Sequence, residues 1–284
     1  MSPFQRHIDA CNDLPSPAGF IAFRIGAAQV GWLGPELARA LTFFPRDFHF
    51  DAEGVALAGR LRSPGTRAEA LATAARSLAG RGFFTLRDEP FDVRATPEGP
   101  VLAMLDRGAI PAFGVMAQGV HLNGLVRRAD GLHIWVAVRA RNKPVAPGKL
   151  DHLVAGGMPS GLSAEECLVK EAAEEAAIPA ELAARARPVA RLSYIMRDGT
   201  GMRRDILHAF DLELPEEFTP RPHDGEVERF ELWPAARLLA TVRDTDAVKF
   251  NVNLMLIDLF LREGLIDPAG AEGLALRAGL DQGA

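Results

Sequence analysis

Glu171, Glu174 and Glu175 are the residues of this 284-residue chain whose type and spacing promise chemistry. A helix turns about 100° per residue, so positions i, i+3 and i+4 share one face. The three carboxylates therefore point the same way, while Val169, Ala172, Ala173 and Ala176 fall opposite and can pack. Carboxylates crowded this way repel one another unless a cation sits among them. Hard oxygen ligands in that number suit Mg²⁺ or Mn²⁺. Ahead of them runs Gly156-Gly157-Met158-Pro159-Ser160-Gly161, then Ser163-x-x-Glu166, the pattern of a capping box. The plain alternative is a solvated Glu-rich helix, which seldom starts with a double glycine and a cap at this spacing.

Positioning these groups requires a framework, and the chain reads as two parts with a short tail. Residues 1–112 read as a smaller α+β domain. Strands are expected over 19–25 and 30–33, and a helix over 35–41, opened by a proline suited to a first turn. Phe43, Phe44, Phe48 and Phe50 read as core or inter-domain packing. A strong helix is expected over 66–79, with Ala70, Leu71, Ala74 and Leu78 at helical spacing and Gly80 as a stop. Residues 83–86 and 91–93 read as strands. Within 113–268, strand patterns occupy 115–126 and 133–139. In the latter, Ile134, Val136 and Val138 alternate with Trp135 and Ala137. A short helix over 180–187, paired strands over 191–197 and 203–212, a strand over 227–232 and helices over 234–242 and 252–262 follow. Strands and helices in that order predict an α/β/α sandwich around a mixed sheet. Residues 269–284 read as a tail.

The bulk properties narrow the class. At 48% hydrophobic content the chain has apolar residues enough for a large core. Its net charge of −5 and lack of a basic stripe give no general nucleic-acid or membrane surface. The start, Met-Ser-Pro-Phe-Gln-Arg-His, has no apolar signal core, and no run of about 18 apolar residues occurs, so a soluble, cytosolic protein is expected. Cys11 and Cys167 are the only cysteines, too far apart for a zinc motif; Cys167 reads as a small filler on the carboxylate helix.

The stretch 156–178 resembles the Nudix box, G-x5-E-x7-R-E-U-x-E-E-x-G-U with U aliphatic. It departs at Lys170 for Arg, Ala177 for Gly and Leu162 for the first Glu. Lysine keeps the charge but loses the bidentate fork. The variant Val154-Ala155-Gly156-Gly157-Met158-Pro159-Ser160-Gly161-Leu162-Ser163 looks like one Nudix subfamily. That subfamily includes the N-terminal part of fungal thiamine pyrophosphokinases and related plant Nudix hydrolases. Gly119-Val-His-Leu-Asn-Gly124, Pro147-Gly-Lys-Leu-Asp151, Asp211-Leu-Glu-Leu-Pro215, Asp224-Gly-Glu-Val227, Lys249-Phe-Asn251 and Phe260-Leu-Arg-Glu-Gly264 resemble its other landmarks, in the same order. The resemblance implies a metal-dependent hydrolase converting thiamine diphosphate, or its oxidised oxo and oxy analogues, to the monophosphate and phosphate. It also implies that 1–112 is the additional N-terminal domain of that subfamily. A Nudix hydrolase of ADP-ribose, NADH or a nucleotide sugar stays open, as does a non-catalytic metabolite sensor.

On this reading Glu171, Glu174 and Glu175 are metal ligands, and the Gly156 carbonyl is a fourth, as the family pattern suggests. Glu174 and Glu175 double as catalytic groups. Nudix enzymes often draw a base or further ligand from a later loop, and Glu226 is the candidate; its alternative is a solvated loop acid. Phosphate contacts need cations near the metal. Arg139, Lys143 and Lys149 lie before the box, and Arg203 and Arg204 on a later strand. His121 and Asn123, two apart on a strand, share a face and are candidates for the substrate pocket, or else simply hydrogen-bonded strand residues. The sole tyrosine, Tyr194, reads as core. The expected partner is a small-molecule diphosphate, with no nucleic acid and no membrane. A homodimer is open.

Overall fold

A computed structural model describes residues 2–14 and 16–280. Helix α1 (Gln5–Cys11) opens it, followed by β1 (Ile21–Ile25), β2 (Ala28–Leu33), α2 (Pro35–Leu41), β3 (Phe48–Asp51), β4 (Gly54–Leu57) and α3 (Pro64–Gly80). The four strands form a sheet in the order β2-β1-β4-β3. Helix α3 starts earlier than its hydrophobic spacing shows, because Ser63 caps it reciprocally with Thr66 and Pro64 fits the first turn. Its inner face, Ala70, Leu71, Ala74, Ala75 and Leu78, packs into a core with Phe23, Leu33, Phe48 and Phe113. Phe44 packs against this core and Phe48 lies within it, whereas Phe43 and Phe50 are exposed. A separate hairpin, β5 (Pro90–Val93) and β6 (Ala103–Asp106), precedes α4 (Ile110–Phe113). Residues 83–86 form no strand; they run as irregular chain along a cleft, because Asp106 draws the following backbone into a turn.

The rest of the chain builds a mixed sheet from β7 (Met116–Arg128), β8 (Gly131–Arg139), β9 (Leu150–Asp151), β10 (Val154–Gly157), β11 (Arg187–Asp198), β12 (Gly201–Glu213) and β13 (Val227–Pro234). Its main path is β11-β12-β7-β8-β13, with β10 paired to β7 and β9 to β8. The β12–β7 pair is parallel and the others are antiparallel. Helices α5 (Ala164–Ala176) and α6 (Ala180–Ala183) cover one face through Val120, Leu122, Trp135 and Phe210. Helices α7 (Ala235–Asp244), α8 (Phe250–Arg262) and α9 (Ala271–Leu280) cover the other through Leu125, Ile134, Val136 and Val138. The alternation along β8 thus feeds both cores, as a sheet between two helical layers requires.

Two parts of this sandwich come from outside the expected segment. Residues expected as a tail include α9, whose Leu276 and Leu280 are buried in the second core. Helix α1 also packs there, through Phe4, Ile8 and Cys11. Arg6 donates to the carbonyls of Val242 and Thr245 at 3.1 and 2.7 Å and so closes the C-terminal end of α7. The three cores therefore do not divide the chain into successive segments.

Candidate active site

Helix α5 is capped as its sequence demands: Ser163 Oγ accepts from the Glu166 amide at 3.1 Å, and Glu166 accepts from the Ser163 amide at 2.9 Å. This fixes the rotation of the helix against β10, and with it the three glutamates. Glu175 is buried at 6% exposure and accepts one bond, from the Ala155 amide at 2.9 Å. Glu171 lies against Gly156, where a β-carbon would come within 2.4 Å of its carboxyl carbon. Glycine is required there because the glutamate fills the space a side chain needs. Glu174 is half-exposed and held by Lys170 Nζ at 2.5 Å, which also reaches Glu171 at 3.2 Å. Burial raises the Glu171 and Glu175 carboxyls above the usual range, Glu175 strongly. No cationic side chain pairs with Glu175 among the described residues.

The loop before β13 supplies what α5 lacks. Carboxylate oxygens of Glu175, Asp224 and Glu226 all lie within 4.8 Å of one another. Asp224 accepts from the Glu226 amide at 2.8 Å, and Ala140 donates to the Glu226 carbonyl at 2.9 Å, so the loop is pinned to the sheet. Three converging carboxylates, one buried and uncompensated, match the donor set of a hard divalent cation. A second grouping, His121, Asp151 and His152, has a different character. Asp151 already accepts from Arg139 at 2.5 Å, Lys249 at 3.2 Å and the His152 amide at 2.9 Å. A divalent ion there would sit beside two buried cations. The His121 and His152 rings share one hydrogen bond at 2.9 Å, and burial lowers both pKa values, that of His152 to about 4. The two rings are thus neutral, and the group braces Arg139 and Lys249 at the cleft.

Beside these groups lies a cleft of about 840 Å³, lined by Gly156, Gly157, His121, Arg139, Lys143, Asp224 and Glu226 from the larger sheet and its loops, while the glutamates of α5 are absent from its wall. Phe83, Phe84, Phe91, Arg87 and Arg107 line it from the N-terminal part. Not every expected contact reaches it. Arg139 lines the cleft, but its donors go to Ala146 O, Val145 O and Asp151. Lys143 pairs with Glu226. Lys149 turns away and donates to the Asp246 carbonyl at 2.7 Å. Arg203 and Asp205 face the cleft while Arg204, next to both on β12, points to the opposite side of the sheet, so of the two arginines expected near phosphate only Arg203 reaches it and Arg204 does not. Asn123 donates to Asp211 at 2.8 Å in a buried network with Arg262 and is absent from the cleft wall. Tyr194 is buried and donates to Asp205. Burial pushes the Cys167 thiol up to about 12, which leaves it inert at neutral pH. Asp224, Lys249 and Arg107 were not assigned roles from the sequence; only the Asp-Gly-Glu run around Glu226 hints at the first.

A NUDIX domain family model matches residues 119–252, and a model described as a domain of unknown function (DUF4743) matches residues 3–117. Nudix hydrolase 20, chloroplastic, of Arabidopsis thaliana is 37% identical over 97% of this chain and 77% of its own length. The chain belongs to the Nudix hydrolase family. Nudix hydrolase 24, chloroplastic, of the same plant is 38% identical over 94% of this chain and 74% of its own. Among solved structures, DR0079 from Deinococcus radiodurans aligns over 67% of this chain and 98% of its own at 20% identity and a TM-score of 0.44.

As a Nudix diphosphate hydrolase, the chain shows how its box tolerates three departures. Lys170 pairs with two glutamates at once, Glu171 and Glu174. Leu162 packs against the α5 core. Ala177 ends α5 at φ 53°, a left-handed conformation that favours the family's glycine. Nudix hydrolases generally use divalent metal ions, and the Glu175–Asp224–Glu226 group is a candidate to hold one. The expectation of a cytosolic location is corrected: both plant relatives are named chloroplastic. No helix among the described residues is long and apolar enough to cross a membrane.

Proposed function

We propose that this Nudix hydrolase cleaves the diphosphate of thiamine diphosphate, or of its oxidised oxo and oxy analogues, releasing the monophosphate and phosphate. The observation that carries the reading is the cleft itself. Its wall carries Asp224 and Glu226, whose carboxylates converge with that of Glu175, and it presents Phe83, Phe84 and Phe91 from the N-terminal part. A charged diphosphate fits the first and a flat ring the second. The subfamily motifs favour a thiamine ring over a nucleobase. On this reading residues 113–268 form the hydrolytic domain and 1–112 the substrate-facing one.

Glu171, Glu175, Asp224 and Glu226 would hold Mg²⁺ or Mn²⁺, with Glu174 and the Gly156 carbonyl completing the set. When bound, such an ion would offset charge on the diphosphate and make water more acidic. Glu226, which pairs with Lys143, would take the proton of the attacking water. Lys249 and Arg139 keep the floor of the cleft positive through Asp151. Positioning and electrostatics carry most of phosphoryl transfer, so this arrangement is what the reaction requires. The partner is a small diphosphate, with no nucleic acid or membrane surface.

The test is phosphate release with Mg²⁺, and in parallel Mn²⁺, from thiamine diphosphate, its oxo and oxy analogues, ADP-ribose, NADH and a nucleotide sugar. We expect the highest kcat/KM for a thiamine-type diphosphate. A nucleotide preferred by tenfold or more would discard this substrate and leave the metal chemistry standing.

A further inference from the structure

The cations that line the cleft differ in what their donors already do. Arg139 spends its donors on Ala146 O, Val145 O and Asp151, and Lys249 sits on Asp151. Lys143 is paired with Glu226, and Arg203 with Asp198. Arg87 and Arg107 are the exceptions, and of the two it is Arg107 that lies against the Nudix box. Its side chain is half-exposed, and Nη1 donates to Glu89 at 2.8 Å. Its remaining guanidinium donors have no partner among the described residues.

Arg107 belongs to the N-terminal part, yet it touches the box turn. A β-carbon on Gly157 would lie 3.3 Å from the Arg107 guanidinium carbon and 2.6 Å from the Phe91 ring. The guanidinium lies 5.6 Å from the centre of that ring. Its charge also bears on the Glu171 carboxyl. The hairpin that presents it is fixed at both ends. Asp106 accepts from the amides of Arg87, Asp88 and Gly108 at 3.0, 2.8 and 2.8 Å. The Ser160 amide donates to Pro90 O at 2.8 Å and its hydroxyl to Asp92 at 2.5 Å, which bolts β5 to the box turn. A planar fork of donors, preorganised beside a carboxylate metal site, suits the oxygens of a phosphate.

We propose that Arg107 binds the substrate's diphosphate, so that the N-terminal part completes the active site of the Nudix domain. The inference rests on the reading of the cleft as a diphosphate site. Arg107 supplies two or more charge-assisted hydrogen bonds, while Phe91 backs its guanidinium and excludes water from one face. Glu89, also on the cleft wall, pairs with one edge of the group.

Methylenediphosphonate, a diphosphate that cannot be hydrolysed, is the probe. Its binding to the full chain in Mg²⁺ is measured by calorimetry, with thermal unfolding as a check on folding and kcat and KM on the preferred substrate in parallel. Loss of a charged hydrogen-bonding partner predicts that Arg107→Gln weakens binding by about tenfold or more. KM should rise more than kcat falls. Arg107→Lys, which retains the charge, is expected to fall between wild type and Arg107→Gln, and it serves as the readout should the glutamine variant fail to fold. Glu89→Gln removes the ion pair and leaves the guanidinium, so it should bind within about threefold of wild type. Equal binding by wild type and Arg107→Gln overturns the proposal, as does a loss in Glu89→Gln equal to that in Arg107→Gln, which would make Arg107 a structural clip. A wild type that hydrolyses diphosphates beside an equally active Arg107→Gln overturns the proposal alone. A wild type that neither binds the diphosphonate nor hydrolyses any diphosphate overturns the reading beneath it.

Discussion

Helices α3 and α5 start alike and bury different things. Each has a serine at its N-cap, Ser63 and Ser163, closed reciprocally by the residue three positions on. The inner face of α3 is entirely apolar, with Leu71, Ala74 and Leu78 fully buried. That of α5 buries Cys167, Leu168, Ala172 and Ala176, and then Glu175. A buried, unpaired carboxylate costs several kcal/mol by desolvation, or else takes up a proton. One helix is thus built for stability alone, and the other gives up stability where the sheet, the glycine strand and a distant loop converge. The shared cap shows that local signals set where a helix starts, while its inner face shows what the helix is for.

Three changes would break or sharpen that contrast. The largest concerns α3: Leu71→Ala should cost about 2–5 kcal/mol of stability, by denaturant unfolding, while turnover per folded molecule stays as in wild type. A loss of kcat without a loss of stability would mean that α3 shapes the site directly. The second concerns pH. In chelator, native Glu175 holds its proton above the usual carboxylate range, so the native state binds more protons than the unfolded state. Stability is then full below the unfolded value and falls as pH rises through the native one, by up to about 1.4 kcal/mol per pH unit for one proton. Glu171 acts in the same direction. Glu175→Gln should flatten this fall in pH-dependent unfolding, and Mg²⁺ should oppose it in wild type. A wild-type curve already flat above pH 5 would contradict the burial argument. The smallest lies at the end of α5: Ala177→Gly should stabilise by about 0.5–1 kcal/mol, read as a rise in Tm.

The sequence showed α5 well because cap, glycine turn and carboxylate spacing are all local. The alternation of β8 was equally legible, and the Asp-Gly-Glu run marked Glu226. Whether Arg203 or Arg204 faces the cleft was not legible, since a strand shows two faces and the sequence does not say which one the site occupies. Lys149 and Asn123 failed for a related reason: their partners, Asp246 and Asp211, lie 97 and 88 residues away. Helices α1 and α9 cover the second core from opposite ends of the chain, a contact that no window of sequence contains. Arg107 was hidden in the same way, by a hairpin docked on the box turn from another core.

Phosphate release by wild type and Glu175→Gln, side by side with Mg²⁺ and the preferred diphosphate, tests the central claim most directly. We expect Glu175→Gln to lose about a hundredfold or more in kcat, while its unfolding in chelator shows stability equal to or above wild type. Turnover at the wild-type rate by folded Glu175→Gln would contradict the assignment of the buried carboxylate to the metal site.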